Sequence, residues 1–251
     1  MTKQEVRLSK KSILITGAAG FIGAALGSRL LKEYPDVDIV GLDCMNDYYE
    51  VDLKRERLRI IDDTDINGKF TFIKGSIADK GLIDSLFEKY KFDVVVNLAA
   101  QAGVRYSIDH PDVYIESNII GFYNLLKACR HNPVEHLVYA SSSSVYGGNK
   151  KVPFSTEDMV DNLVSLYAAT KKSDELLAHA YSKLYNITST GRRFFTVYGE
   201  MGRPNMFYYS ATKRLIKGEK IQIFNCGNCK RDFTYISDIV EGVIRVMQGH
   251  L

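Results

Sequence analysis

Tyr167 and Lys171 stand four residues apart in the run Tyr167-Ala168-Ala169-Thr170-Lys171. On a helix that spacing puts both side chains on one face. An ammonium beside a phenol favours the phenolate, so Tyr167 becomes a general base and acid usable near neutral pH. Upstream, four serines in a row, Ser141 to Ser144, follow a short β-rich run. A hydroxyl placed there can bond both a substrate oxygen and the phenol. Taken alone, Tyr-x-x-x-Lys is common by chance and reads better as an ordinary surface helix pair, so its meaning depends on its companions.

Gly17-Ala18-Ala19-Gly20-Phe21-Ile22-Gly23 is one companion. It separates an apolar run from a helix-like stretch. Glycines in such a turn let the backbone approach a pyrophosphate, and the helix N-terminus offers free N–H groups. The spacing is Gly-x-x-Gly-x-x-Gly, and a tight strand-to-helix turn would also use it. Asp43 strengthens the ligand reading. It lies twenty residues beyond Gly23 at the end of the next apolar run. A carboxylate there accepts from both ribose hydroxyls and repels a 2′-phosphate, which selects NAD over NADP.

These residues need a frame, and the hydrophobic pattern supplies one. Strands are expected at Ser12–Thr16, Val37–Leu42, Phe70–Lys74, Asp93–Leu98, His136–Ala140 and Thr188–Phe194. Helices are expected at Gly20–Glu33, Lys80–Tyr90, Asp112–Arg130 and Leu163–Tyr185. Alternating strands and helices imply a mostly parallel sheet with right-handed crossovers and helices on both faces. The fold class is therefore α/β, a Rossmann-type doubly wound sheet. Such sheets place ligands at the carboxyl ends of their strands, where the serine run falls. Beyond about Gly199 the rhythm changes. Helices are expected at Phe207–Lys217 and Ser237–Gln248, and short strands at Ile221–Phe224 and Arg231–Tyr235. The chain thus divides into an NAD-binding domain, 1–199, and a partial substrate cap, 200–251. With so few elements the cap is expected to be truncated.

Composition narrows the class. Of 251 residues, 45% are hydrophobic and 25% charged, with a net charge of +3 spread along the chain; that balance is ordinary for a globular domain with a sizeable core and offers no argument for nucleic acid. The start, Met1 to Lys11, is polar, and no run reaches membrane-spanning length. A cytoplasmic protein is expected, and four cysteines suit a reducing compartment. Cys226 and Cys229 make a lone Cys-x-x-Cys with no neighbouring histidine, and Gly227-Asn228 between them reads as a hairpin turn, so no metal site is expected.

The full set of motifs resembles the extended short-chain dehydrogenase/reductase superfamily. The glycine loop, Asn97-Leu98-Ala99-Ala100, the serine-rich strand end and Tyr-x-x-x-Lys occur in that order. Longer matches narrow the resemblance to UDP-glucuronate 4-epimerases and related nucleotide-sugar 4-epimerases of the NAD-dependent epimerase/dehydratase family. They are Gly41-Leu42-Asp43 leading to Asn46-Asp47-Tyr48-Tyr49, Ala102 to Ser107, Ser141 to Gly147, Ser165 to Lys172, Arg193 to Gly199, Gly202-Arg203-Pro204, and Lys230 to Tyr235.

The resemblance implies a reaction and roles. Tyr167 takes the proton of the sugar 4-hydroxyl while C4 passes hydride to NAD; the 4-keto sugar turns, and hydride returns to the other face. Lys171 holds the nicotinamide ribose, and Ser142, three residues before Val145, assists Tyr167. NAD is implied to touch Gly17, Gly20, Phe21, Ile22, Gly23, Asp43, Asn46, Ser76, Ile77, Leu98, Ala99, Ala100, Asn118 and Phe195 as well as Tyr167 and Lys171. The UDP-sugar is implied to meet Val104, Arg105, Ser107, Ser142, Ser143, Tyr167, Thr196, Arg203 and Arg231, with Arg231 on the diphosphate, where a guanidinium suits phosphate oxygens. A homodimer paired through the helices Asp112–Arg130 and Leu163–Tyr185 is implied too.

Departures matter. Dehydratases of this superfamily carry Asp-Glu after the helper residue, and decarboxylases tend to carry a glutamate; here those places are Ser143 and Ser144. No carboxylate is available to deprotonate C5, which favours epimerisation. Ser76 replaces the usual aspartate against adenine, and Asn97 the usual histidine. Alternatives are another UDP-sugar epimerase, a decarboxylase or net oxidoreductase, and a non-catalytic NAD-binding regulator.

Overall fold

The computed structural model describes residues 6–249; part of the polar start expected through Lys11 lies outside them. Strands β1 (Ser12–Thr16), β2 (Asp38–Asp43), β3 (Phe70–Lys74), β4 (Val94–Asn97), β5 (His136–Ser142) and β6 (Ser189–Phe194) form one sheet. All its pairs are parallel, in the order β3-β2-β1-β4-β5-β6. The order reverses between β1 and β4, the switch point at which such sheets hold dinucleotides.

The strands are short apolar runs because both faces are covered. Ile13, Ile15, Val94, Val96 and Val138 face one side, packed with Leu26 and Leu30 of α1 (Phe21–Glu33). Leu14, Val95, Leu137 and Tyr139 face the other. There they meet Ile83, Leu86 and Phe87 of α3 (Lys80–Tyr90), and Phe122 and Leu125 of α6 (Gly121–His131). The period of two along each strand is thus read directly in which layer each residue joins.

Four local features differ from the sequence reading. A helix, α2 (Val51–Thr64), fills a stretch for which no element was expected; its buried residues are Lys54, Arg57 and Ile61, so cations occupy the positions where apolar residues announce a helix. The expected helix Asp112–Arg130 is continuous but not uniform. After α4 (Tyr106–Asp109) come α5 (Pro111–Tyr114), a π-helical stretch Ile115–Ile120, and then α6. The expected helix from Leu163 starts at Leu166 as α7 (Leu166–Tyr185), because the Ser165 hydroxyl accepts from Ala168 N–H and caps it. Strand β5 runs on through Ser141 and Ser142, two residues further than expected.

Past Gly199 the largest correction concerns Ile221–Phe224, which forms no strand. A 3-10 turn spans Phe224–Gly227, with Asn225 and Cys226 at positive φ. No hairpin forms at Gly227-Asn228. Instead β8 (Phe233–Tyr235) pairs in parallel with β7 (Thr196–Tyr198), a strand not expected from the sequence. Ile221 and Ile223 alternate as strand residues do, but no neighbouring strand takes up their backbone. Helix α8 (Phe207–Ile216) follows this small sheet's first strand, and α9 (Ile236–Met247) its second. Helix α9 turns back to the main layer, burying Val240, Val243, Val246 and Met247 beside α1.

Candidate active site

The carboxyl ends of β1, β2, β4, β5 and β6 open onto one cleft of about 560 Å³. Its floor is the glycine loop. Gly17 takes φ +70°, and a Cβ there would lie 2.8 Å from Ala99 N and from Leu98 C. A Cβ on Gly20 would lie 2.8 Å from Gly17 O. The loop is closed against the end of β4 by Thr16, whose Oγ1 donates to Asn97 Oδ1 at 2.6 Å and accepts from Ala99 N–H at 3.2 Å. The position that the resemblance expected to be histidine is therefore a partner of β1.

Asp43 ends β2 and is buried. Its carboxylate accepts from Ala19 N–H at 3.2 Å and Met45 N–H at 2.8 Å, with Lys54 Nζ at 3.9 Å. Lys54, itself buried, donates to Asn46 O and Oδ1. Ser76 Oγ accepts from Ala78 N–H, and Asn124 Nδ2 donates to Ile77 O and Ala78 O, so the Ser76–Ala78 turn is fixed without a carboxylate. Gln101 Nε2 is buried without a hydrogen-bond partner, in a residue that lines the cleft. A glycine cradle, an acceptor at the ribose end and an orphaned buried amide fit a dinucleotide.

The serine, tyrosine and lysine expected from the sequence lie across the switch point. Ser142 closes β5 and its Oγ accepts from Ser144 N–H at 3.1 Å. Tyr167 sits in the first turn of α7, edge-on to Tyr114 with ring centres 6.1 Å apart. Lys171 comes one turn later on the same face, buried. Its Nζ donates to Asp174 Oδ2 at 3.1 Å, and Asp174 is buried too. Burial pushes the Asp174 carboxyl up to about 6, against the downward pull of Lys171. The π-helical stretch serves this end of the site. It presents Asn118, whose Oδ1 accepts from Gln101 N–H and whose Nδ2 donates to Gln101 O and Thr170 Oγ1. Thr170 Oγ1 donates in turn to Tyr167 O. The loop after β4 and the first turn of α7 are thereby held together through one amide. Such π-turns gather at functional sites.

Behind Ser142, Ser141 Oγ donates to Glu175 Oε1, and Arg193 grips Glu175 with two bonds of 2.9 Å. Burial would raise the Glu175 carboxyl, but Arg193 and Ser141 outweigh it and hold it below the usual range.

Of the residues expected from the sequence, the cleft gathers Gly17, Gly20, Phe21, Ile22, Gly23, Asp43, Asn46, Ser76, Ile77, Leu98, Ala99 and Ala100 at its dinucleotide half. Ser142, Ser143, Tyr167, Lys171, Phe195, Thr196, Val104, Arg203 and Arg231 line the other half. Three others stand outside the lining. Asn118 acts through Gln101, Ser107 is buried and donates to Val104 O, and Arg105 precedes α4. Lys54, Gln101, Tyr48, Tyr49 and Met206 line the cleft without having been singled out for it. Tyr48 and Tyr49 had a visible signal, the aromatic pair after Asn46-Asp47. Among the described residues Asp43 is the one carboxylate in the lining, and no group of His, Cys, Asp and Glu could hold a metal ion.

Fold and cleft together define a Rossmann-type dinucleotide enzyme, with Ser142, Tyr167 and Lys171 in the lining of its cleft. The chain belongs to the NAD-dependent epimerase/dehydratase family, whose model matches residues 13–250. It is 52% identical to protein CapI of Staphylococcus aureus, covering 94% of this chain and 69% of that one. It is 50% identical to UDP-glucuronate 4-epimerase 2 of Arabidopsis thaliana over 93% of this chain and 53% of that one. The fold superposes with a TM-score of 0.88 on UDP-glucuronic acid 4-epimerase from Bacillus cereus solved in complex with UDP-glucuronic acid and NAD. That protein is 34% identical, and the match covers 94% of this chain and 73% of it.

Proposed function

We propose that the protein is an NAD-dependent UDP-sugar 4-epimerase that converts UDP-glucuronate to UDP-galacturonate. One observation carries the reading: Ser142, Tyr167 and Lys171 share a cleft with the glycine loop, while the only carboxylate in the lining of described residues, Asp43, lies at the ribose end. Elimination or decarboxylation chemistry that needs an acid–base carboxylate beside the sugar has none there. Epimerisation at C4 needs none.

NAD, held by the glycine loop, Asp43 and Lys171, would supply a hydride acceptor and donor. Ser142 Oγ and Tyr167 Oη would both bond the sugar 4-oxygen. Tyr167 would take the hydroxyl proton and later return it, and Lys171, one turn on along α7, would hold the nicotinamide ribose. Arg231 suits the diphosphate, and Arg203 would help hold the sugar nucleotide, since a guanidinium bonds phosphate or carboxylate oxygens in bidentate fashion. In this reading residues 1–199 bind the cofactor and the segment from about 200 binds the sugar nucleotide, with α9 returning to the Rossmann layer.

A homodimer through α6 and α7 belongs to the same reading. Ile120, Tyr123, Leu176 and Leu184 are exposed apolar residues on these helices and the π-turn, the kind of patch that another surface covers. A cytoplasmic site agrees with four free cysteines. Among the described residues no helix is long and apolar enough to cross a membrane.

Incubating the NAD-loaded protein with UDP-glucuronate and following the sugar by proton NMR tests the proposal. The expected result is the 4-epimer at equilibrium with substrate, without net NADH or carbon dioxide. Release of carbon dioxide, or no new sugar, would overturn it.

A further inference from the structure

The buried face of α2 carries Lys54, Arg57 and Ile61 at i, i+3 and i+7. A helix face that packs on a core is normally apolar, so two buried cations ask for a reason. Lys54 has one in Asn46 and Asp43. Arg57 reaches further. It is 1% exposed and bonds three separate segments. Its Nη1 donates to Ala19 O in the glycine loop at 3.1 Å and to Tyr49 Oη at 2.6 Å. Its Nε and Nη2 donate to Met201 O at 3.1 and 2.7 Å, and Nη2 also reaches Gly202 O at 3.4 Å.

Every one of these acceptors is a neutral oxygen. A buried cation without a carboxylate is costly to keep, and a Leu or Met would fill such a helix face without that cost. What Arg57 adds is connection. Ala19 is held from both sides, its N–H by Asp43 and its carbonyl by Arg57. Met201 is held in a left-handed conformation, φ +60°, uncommon for a residue with a side chain. Immediately beyond it, Arg203 and Met206 enter the substrate half of the cleft.

We propose that Arg57 is a positioning residue that couples the dinucleotide loop to the Met201–Arg203 segment, so that a filled cofactor site sets Arg203 for the sugar nucleotide. This rests on the UDP-sugar reading above. Its physical content is a linkage: what tightens the glycine loop tightens the segment that meets the second ligand, and the two affinities rise by the same factor.

The test is calorimetric titration of the whole chain with UDP, with and without saturating NAD, for wild type, Arg57→Lys and Tyr49→Phe. Wild type should bind UDP about fivefold or more tightly with NAD present. Arg57→Lys keeps the charge but cannot span three segments, and should bind UDP equally with and without NAD. Tyr49→Phe removes one acceptor, keeps the guanidinium, and should retain part of the coupling. In turnover, Arg57→Lys should raise the KM for UDP-glucuronate about tenfold with kcat little changed, the pattern of lost substrate positioning. Far-UV circular dichroism confirms folding, and Tyr49→Phe keeps the test open should Arg57→Lys unfold. Wild type without NAD–UDP coupling, or a folded Arg57→Lys with wild-type coupling, overturns the inference while leaving the epimerase reading standing. Wild type that binds NAD but not UDP overturns both.

Discussion

Lys171 and Asp174 form an ion pair one turn beyond Tyr167, Nζ to Oδ2 3.1 Å, with both side chains buried. The second oxygen, Asp174 Oδ1, is buried without a partner. Burial dominates its titration and pushes it up to about 6 despite the Lys171 ammonium. An acid raised on folding is held in its protonated form by the native state. Between about pH 4 and 6 the folded chain therefore binds more protons than the unfolded chain, and stability falls as pH rises through that window. Asp174→Asn mimics the protonated form. With no carboxyl to titrate, it should lack this fall in stability between about pH 4 and 6, even though the Lys171 ammonium loses its carboxylate partner. Urea unfolding at several pH values reads this directly; identical pH dependence in the two proteins would refute it.

Tyr167→Phe should lower epimerisation by about 100- to 10,000-fold, the range of a lost general acid–base group. The ring packs edge-on against Tyr114, a ring contact that phenylalanine can also make. Thermal unfolding and NAD affinity should therefore stay close to wild type. A variant with wild-type turnover would remove Tyr167 from the chemistry.

Legibility in the sequence followed the range of each interaction. The strands could be read because Val94-Val95-Val96 and its neighbours are buried on both faces and carry an unbroken apolar signal. The glycine loop, Asp43 and the Tyr167–Lys171 pair show as spacings in the sequence, whereas Ser142 is singled out among its neighbours only by the resemblance; all of them line one cleft. Helix α2 could not be read, since Lys54 and Arg57 occupy its buried face. Their partners explain why: Arg57 is satisfied by Met201, far along the chain. Asp174 shows no motif of its own and gains its character only by burial. The π-turn at Ile115–Ile120 has the composition of an ordinary helix, and only its bonding to Gln101 and Thr170 reveals its use.

Gly23 tests the cradle with a sign that propensity alone would get wrong. It lies inside α1, where alanine is favoured over glycine by about 1 kcal/mol. A Cβ at Gly23 would sit 2.2 Å from Gly17 O, a backbone atom that cannot rotate away. Overpacking of that kind costs about 1–3 kcal/mol, so the clash matches or outweighs the propensity gain. Gly23→Ala should thus gain no stability and lose NAD affinity by at least about tenfold, as the loop shifts to relieve the contact. The melting temperature without NAD reads the first, and its rise on adding NAD reads the second.

Leu176 is 59% exposed on α7 and Ile120 46% exposed on the neighbouring π-turn. If two copies pair across these helices, a carboxylate at position 176 is buried unpaired in the interface. Leu176→Glu should convert a dimer into a monomer by light scattering, with the fold intact by circular dichroism. A wild-type monomer, or a variant that remains dimeric, would move the interface elsewhere.

In the proposed reading Asp43 decides which dinucleotide fits. Its two oxygens accept from Ala19 and Met45 N–H groups, and Lys54 lies 3.9 Å away. The carboxylate repels a 2′-phosphate and accepts from ribose hydroxyls. In Asp43→Asn one backbone N–H would face an amide NH2 instead of an acceptor, which leaves a buried donor unsatisfied. NAD should bind about tenfold more weakly for that reason. NADP should lose less, because the charge that opposed its phosphate is gone while the buried Lys54 ammonium remains to meet it. The ratio of the two dissociation constants should narrow by up to about tenfold, equivalent to about 1.4 kcal/mol. An unchanged ratio in a folded variant would place the selectivity on another residue.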